Sequence, residues 1–227
     1  MKVRFAFSVI LSLLIIALCA CAPQVTVTST GGPTIEEAQA VSSFDKMRIA
    51  VAKFENKTGY MVTEGMTDMV VSALFNTNKF IVLERENLDI VLQEQKLSNI
   101  GVIDEKTSIP AGLLEGAEFL VLGALTEFEP DYKGVKTPLG GAKTSHLALD
   151  LRIVDSKTAR IVSSVTVKGD ATDATISTGV LKYIGAGPLA SGLSLWSKTP
   201  MDGAIRLCLD KAVDYIVTHS LKKGVKK

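Results

Sequence analysis

Apolar residues fall into different spacings along this chain, and each spacing predicts a different kind of element. Phe5 to Leu18 is almost wholly apolar and carries no charge. Met47 to Phe54 alternates, with Ile49, Val51 and Lys53 on one side and Arg48, Ala50, Ala52 and Phe54 on the other, which predicts a strand. Glu55 to Tyr60 is polar and contains Gly59, so it reads as a loop. Thr63 then precedes a helical period in which Met66, Met69, Val70, Ala73, Leu74 and Thr77 share a face. Phe80 to Leu83 is a short apolar run, predicted as a buried strand. Leu88, Val91, Leu92 and Gln95 mark a second amphipathic helix. Asn99 to Ser108 is a loop, and Pro110 to Gly116 is expected to make one or two helical turns, with Pro near the start and Gly at the end. Glu118 to Thr126, rich in Leu and Val, reads as another buried strand.

The second half is patterned differently. His146 to Val154 alternates, with Leu147, Leu149, Leu151 and Ile153 on one face. Asp155 to Thr158 is a turn, and Ile161 to Lys168 returns as the partner strand of a hairpin. From Met201, Ala204, Ile205, Cys208, Leu209, Ala212 and Ile216 form one stripe of a long amphipathic helix, followed by a basic tail over residues 222–227. Strands separated by helical patterns predict an α/β fold, a sheet flanked by helices. Cys208, on the helix stripe, reads as core packing.

The N-terminus changes the picture. Lys2 and Arg4, the apolar run and the small residues after it read as a secretory signal peptide over residues 1–20. The run is shorter than the ~20 residues a membrane-spanning helix needs. Leu18-Cys19-Ala20-Cys21 resembles a bacterial lipobox, which implies cleavage between Ala20 and Cys21 and acyl chains on Cys21. Each buried methylene contributes roughly 0.8 kcal/mol, and lasting attachment takes more than one chain. A plain signal peptide with a chance Cys is the alternative. Ala22, rather than Asp, favours the outer membrane by the same resemblance. Residues 21–45, rich in Thr, Ser, Gly and Pro, read as a lipidated tether, and 46–221 as the folded domain.

Composition narrows the classes. The sequence carries 25 bases and 24 acids, and loss of the first twenty residues removes two bases and no acid, so the mature chain is close to neutral. That argues against a nucleic-acid partner, which calls for a basic stripe. With Cys19 discarded and Cys21 acylated, Cys208 has no partner for an internal disulfide. No cofactor is expected beyond the covalent lipid. His146 and His219 have no Cys or acid at metal-ligand spacing, so no metal site is predicted. Gly140-Gly141 lacks the lysine of a phosphate loop. Glu84-Arg85 reads as a helix start or a salt bridge between subunits, ahead of a functional acid. No constellation points to an enzyme.

Four stretches carry a family resemblance when read in order: Arg48-Ile-Ala-Val-Ala-Lys-Phe-Glu-Asn; Phe80-Ile-Val-Leu-Glu-Arg-Glu-Asn-Leu-Asp-Ile-Val-Leu-Gln-Glu-Gln; Gly116-Ala-Glu-Phe-Leu-Val-Leu-Gly-Ala-Leu-Thr-Glu-Phe; and Leu151-Arg-Ile-Val-Asp-Ser-Lys-Thr-Ala-Arg-Ile-Val. Behind a lipobox, this set resembles the CsgG family, the curli assembly and transport lipoproteins. The resemblance implies an outer-membrane lipoprotein with its α/β domain in the periplasm. It also implies a ring of identical subunits, each lending β-hairpins to a shared barrel through which unfolded protein is exported with accessory secretion proteins.

That implication can be set against the residues. A membrane strand needs about 9–11 residues with alternating faces. Candidate hairpins lie near 127–150 and 166–198. The first contains Glu129, Pro130, Asp131 and Pro138, poor strand material, with Gly140-Gly141 as its candidate tip. The second offers Ile176 and Val180 on the way out and Leu193, Leu195 and Trp196 on the way back as candidate lipid-facing residues. In secretion channels of the family a loop after the first strand narrows the pore. The matching connection here is short, and Asn56 and Tyr60 are its candidate pore-loop residues, with ordinary turn residues as the alternative reading. Two functions follow: a ring-shaped export pore, or a periplasm-facing adaptor or activator of similar fold without a pore.

Overall fold

The computed structural model describes residues 46–109, 112–137, 140–172, 181–185 and 187–220. The signal peptide, Ala20, Cys21, the tether, Ile176, Val180 and the basic tail lie outside the described residues. The described chain is α/β. A mixed sheet is built from β1 (Met47–Val51), β2 (Glu55–Asn56), β3 (Phe80–Leu83), β4 (Phe119–Thr137), β5 (Gly140–Asp155) and β6 (Ile161–Ala171). The helices are α1 (Thr63–Asn76), α2 (Leu88–Asn99) and α3 (Pro200–Ser220). The sheet order is β3-β1-β4-β5-β6, and β2 continues along β4 beyond β1. β1 runs parallel to β3 and β4, whereas β4, β5 and β6 form an antiparallel meander.

The predicted first strand stops at Val51, short of Phe54, and a two-residue strand, Glu55–Asn56, forms inside the stretch predicted as loop. After Val51 the chain leaves the ladder, and Phe54 turns into the core over Gly123, where a side chain would run into the Phe54 ring. The Phe54 amide donates to Thr67 Oγ1 of α1 at 3.1 Å, so the break costs no unpaired buried donor. The alternating residues of β5, Leu147, Leu149, Leu151 and Ile153, face α3. Every residue of the predicted α3 stripe, including Cys208, is fully buried. Each such Leu or Ile contributes about 1.5–3 kcal/mol when taken from water. Burial pushes the Cys208 thiol far above its ordinary range, so it is inert packing.

Three predicted elements differ from what forms. Only Gln95 of α2 is buried, and the helix has no substantial packing against other elements; Val91 and Leu92 stay exposed. Residues 112–118 form no helical turn, with Gly112 in the left-handed region at φ 86°. The strand beginning near Glu118 does not stop at Thr126 but continues to Thr137. It passes Pro130 by a bulge: between the pairs Glu129–His146 and Lys133–Thr144, three residues stand opposite Ser145 alone. Pro130 therefore owes no amide to the ladder, and its carbonyl accepts from Ser145 Oγ at 2.6 Å.

Candidate functional site

The candidate site is the junction of three pieces: the loop after β2, the root of the β4–β5 hairpin, and the turn before α3. The loop is held by its own side chains. Asn56 Oδ1 accepts from the Thr58 amide and hydroxyl, each at 2.9 Å, while Asn56 Nδ2 donates to the Tyr60 carbonyl at 2.6 Å. This is an Asx turn, the reason Asn suits the position. The Tyr60 ring lies 4.7 Å from Phe128 of β4 and 5.7 Å from Trp196, and Phe128 and Trp196 are 5.2 Å apart. These tilted and edge-on contacts are the favoured geometries of aromatic pairs and contribute about 0.5–1.5 kcal/mol each beyond burial. The junction thus brings together Asn56, Tyr60 and Trp196, which the sequence separated by 140 positions. Met61 beside it is 90% exposed.

The return half of the second candidate hairpin is corrected here. Residues 181–185 and 187–199 contain no strand; a short 3-10 turn spans Ser194–Trp196. Leu193, expected to face lipid, is fully buried against α1, where Gly65 lets the backbone of Ser191 approach. Trp196 likewise packs inward on the aromatic junction, and Leu195 alone of the three points out, 86% exposed. Polar staples from α3 explain the conformation. Asp210 Oδ1 accepts the amides of Lys182, Tyr183 and Ile184 at 2.8, 2.6 and 3.0 Å. Arg206, paired with Asp202 at 2.6 Å, donates to the carbonyls of Gly185 and Gly187. Backbone groups spent on a helix cannot pair in a ladder.

The first candidate hairpin forms. Its tip is not Gly140-Gly141, since Gly140 already pairs with Thr137. Among the described residues β6 accompanies β5 only as far as the Ser145–Ala171 pair, and beyond it Lys133–Thr137 and Gly140–Thr144 pair with each other as an arm. At the arm's root sits His146, 4% exposed. It has the acid partners that its sequence neighbourhood does not supply: Nε2 lies 2.7 Å from Glu127 Oε2 and Nδ1 lies 2.7 Å from Asp170 Oδ1. Both acids come from flanking strands. The only available signal was the alternation of Glu127 and Glu129 on a strand that pairs with His146's own.

Elsewhere, Glu84 lies ahead of α2 and braces the turn that leads into it. Its Oε1 accepts the amides of Asn87 and Glu86, and these bonds, Asn87 first, hold its carboxyl below the usual range. Arg85 reaches the Glu115 carbonyl at 2.9 Å. Asp68 on α1 is pushed upward, by burial first and then by Glu64 and Glu84. Among the described residues no group of His, Cys, Asp and Glu is arranged to hold a metal ion. No helix among them is long and apolar enough to cross a membrane.

Fold and junction together define an α/β domain with a hairpin arm running out past its sheet. The chain belongs to the CsgG family: the family model for the curli production assembly/transport component CsgG matches residues 33–227. The CsgG proteins of Salmonella typhimurium and Escherichia coli K12 are each 26% identical over 204 residues, covering 79% of this chain and 72% of theirs. Among solved structures, the hypothetical protein CT253 from Chlamydia trachomatis is similar over 78% of this chain and 99% of its own, at 13% identity and a TM-score of 0.47.

Proposed function

We propose that this protein is an outer-membrane lipoprotein, anchored by acylated Cys21 with its domain in the periplasm. Identical copies form a ring that serves as, or helps build, a pore for protein export. The carrying observation is the β4–β5 hairpin, in which Lys133–Thr137 pair with Gly140–Thr144 beyond the described end of β6; in this reading such arms from neighbouring copies would pair. Its partners are the exported chain and accessory secretion proteins. The reading assigns no catalysis and no cofactor beyond the lipid. Asn56 and Tyr60 are engaged as turn and packing residues, which favours the ordinary-turn reading over a narrow amide-and-aromatic gate. In planar bilayers, protein extracted in detergent is expected to give discrete single-channel steps and to run as a large oligomer; monomers without conductance would overturn the pore.

One observation favours the second reading, an adaptor of the same fold without a pore. The two-stranded part of the arm is five residues on each strand, against the ~9–11 of a barrel strand, and it carries Lys133, Lys136 and Lys143. Protease added to the periplasmic side separates the readings. Cleavage within 131–144 of a monomeric protein supports the adaptor, and protection within an oligomer supports the pore.

A further inference from the structure

We propose that α2 and the loop after it form one half of a contact between copies of this chain, and that the β6 edge of the next copy forms the other half. Among the described residues fifteen large apolar side chains are exposed, and nine of them fall between positions 90 and 114. Ile90, Ile100, Val102, Ile109 and Leu113 are each at least half exposed. The loop is drawn back beside the helix, since the Ile109 amide donates to Ser98 Oγ at 3.1 Å. These side chains therefore make one concentrated surface rather than scattered points, and an apolar surface of that kind marks a site of association.

Topology and charge select the occupant. The β1-α1-β3 step moves outward from β1, and the β3-α2-β4 step returns across it. Parallel crossovers are right-handed, so α1 and α2 belong to opposite faces of the sheet. α1 packs with α3 on one face, which leaves α2 on the other. That second face carries an apolar row in ladder register, Leu83, Ala50, Leu120, Val154 and Ile161, running from β3 to β6. Ile161 ends the row and is 57% exposed. α2 sets out from β3 at one edge of the sheet and Ile161 lies on β6 at the other, so the two apolar surfaces of one copy face different neighbours. Charge divides the same way. Residues 89–106 hold four acids and two bases, whereas residues 150–168 hold four bases and two acids. Asp89 and Glu94 are exposed on the first surface, and Arg152, Lys157 and Arg160 on the second. Opposite charges around apolar centres steer and orient two copies. The acid excess suits α2 poorly to an anionic lipid surface, whose amphipathic helices are rich in Lys and Arg. Two unlike surfaces make a head-to-tail contact, which closes into a ring when the rotation per copy allows. The contact presupposes the ring proposed above and supplies its two faces.

The test is sedimentation of the whole mature protein, extracted in detergent, across a dilution series. Ile90→Asp and Ile161→Asp both change exposed positions, and each is expected to raise the concentration at which oligomers dissociate by on the order of tenfold or more. Oligomers that dissociate like the wild type in either variant overturn this contact and leave the ring standing. A wild type that is monomeric at every concentration overturns the ring and the contact together. Thiol cross-linking tests the pairing without weakening it. Cys208 is buried and inert, so introduced thiols react alone. With a flexible bis-maleimide, Leu97→Cys/Ile161→Cys on one chain is expected to give a ladder of multimers, and either single variant none. Cross-linked dimers of Leu97→Cys alone would mean that α2 meets α2, and a double variant without a ladder would mean that the surfaces never meet; each result overturns the proposal.

Discussion

At the scale of single residues, the polar staples on α3 decide more than their number suggests. Asp210 takes three consecutive amides, and without an acceptor there the buried Ile184 donor and the part-buried Lys182 and Tyr183 donors lose their partner. Asp210→Ala is expected to cost about 3 kcal/mol or more in urea unfolding, and Asp210→Asn, which keeps one oxygen, clearly less. Neither Asp210 nor His146 announces its role in the sequence. An acid on a helix reads as a solvated face, and a His at the start of a strand announces no partner, because the groups they meet lie 19 to 28 positions away. Cys208 was legible because its role needs only its own helix: it sits on the apolar stripe and is buried with it.

At the scale of elements, periodicity located α1, β3, α3 and the β5–β6 hairpin, whose buried faces match the expected residues. It misjudged β4, because Pro130 and the acids around it argue against a strand when no register is known. Once the bulge sets them outside the ladder, the objection disappears. It misjudged the segment before α3 for the opposite reason. Leu193 and Trp196 have the spacing of a membrane strand, but their contacts are with α1 and the aromatic junction. Close packing between elements also leaves a testable mark. A side chain on Gly169 of β6 would meet the Ala204 carbonyl and come within 2.9 Å of Cys208 Cβ on α3, whereas one on Gly59 would meet nothing. Gly169→Ala is expected to destabilise by about 1–3 kcal/mol through overpacking, while Gly59→Ala stays within about 0.5 kcal/mol. Thermal or urea unfolding of the two variants makes the comparison.

At the scale of the whole molecule, the reading depends on where the chain is held. Cys21→Ser removes the thiol that would be acylated. Labelling with a radioactive fatty acid is expected to vanish and the protein to shift from the membrane to the soluble fraction, as follows from the loss of two or more acyl chains. A variant that stays with the membrane unchanged would show that lipid does not hold it there. The family could be read from four ordered stretches, since those build the strands and the α2 start that the domain needs. The arm's extent could not, since it depends on a bulge and on where β6 ends.

The ending of β6 has one more consequence. Beyond Ala171 no described strand pairs with the arm, so among the described residues the outer flank of each of its strands carries peptide groups outside any ladder. Hydrocarbon supplies no substitute, at several kcal/mol for each orphaned group. Flanks left so would keep a solitary copy out of the bilayer interior, and copies that share flanks would not be kept out. On the proposed pore reading, entry of the arm into a membrane would then be a collective event, with a lag and a steep dependence on how crowded the surface is.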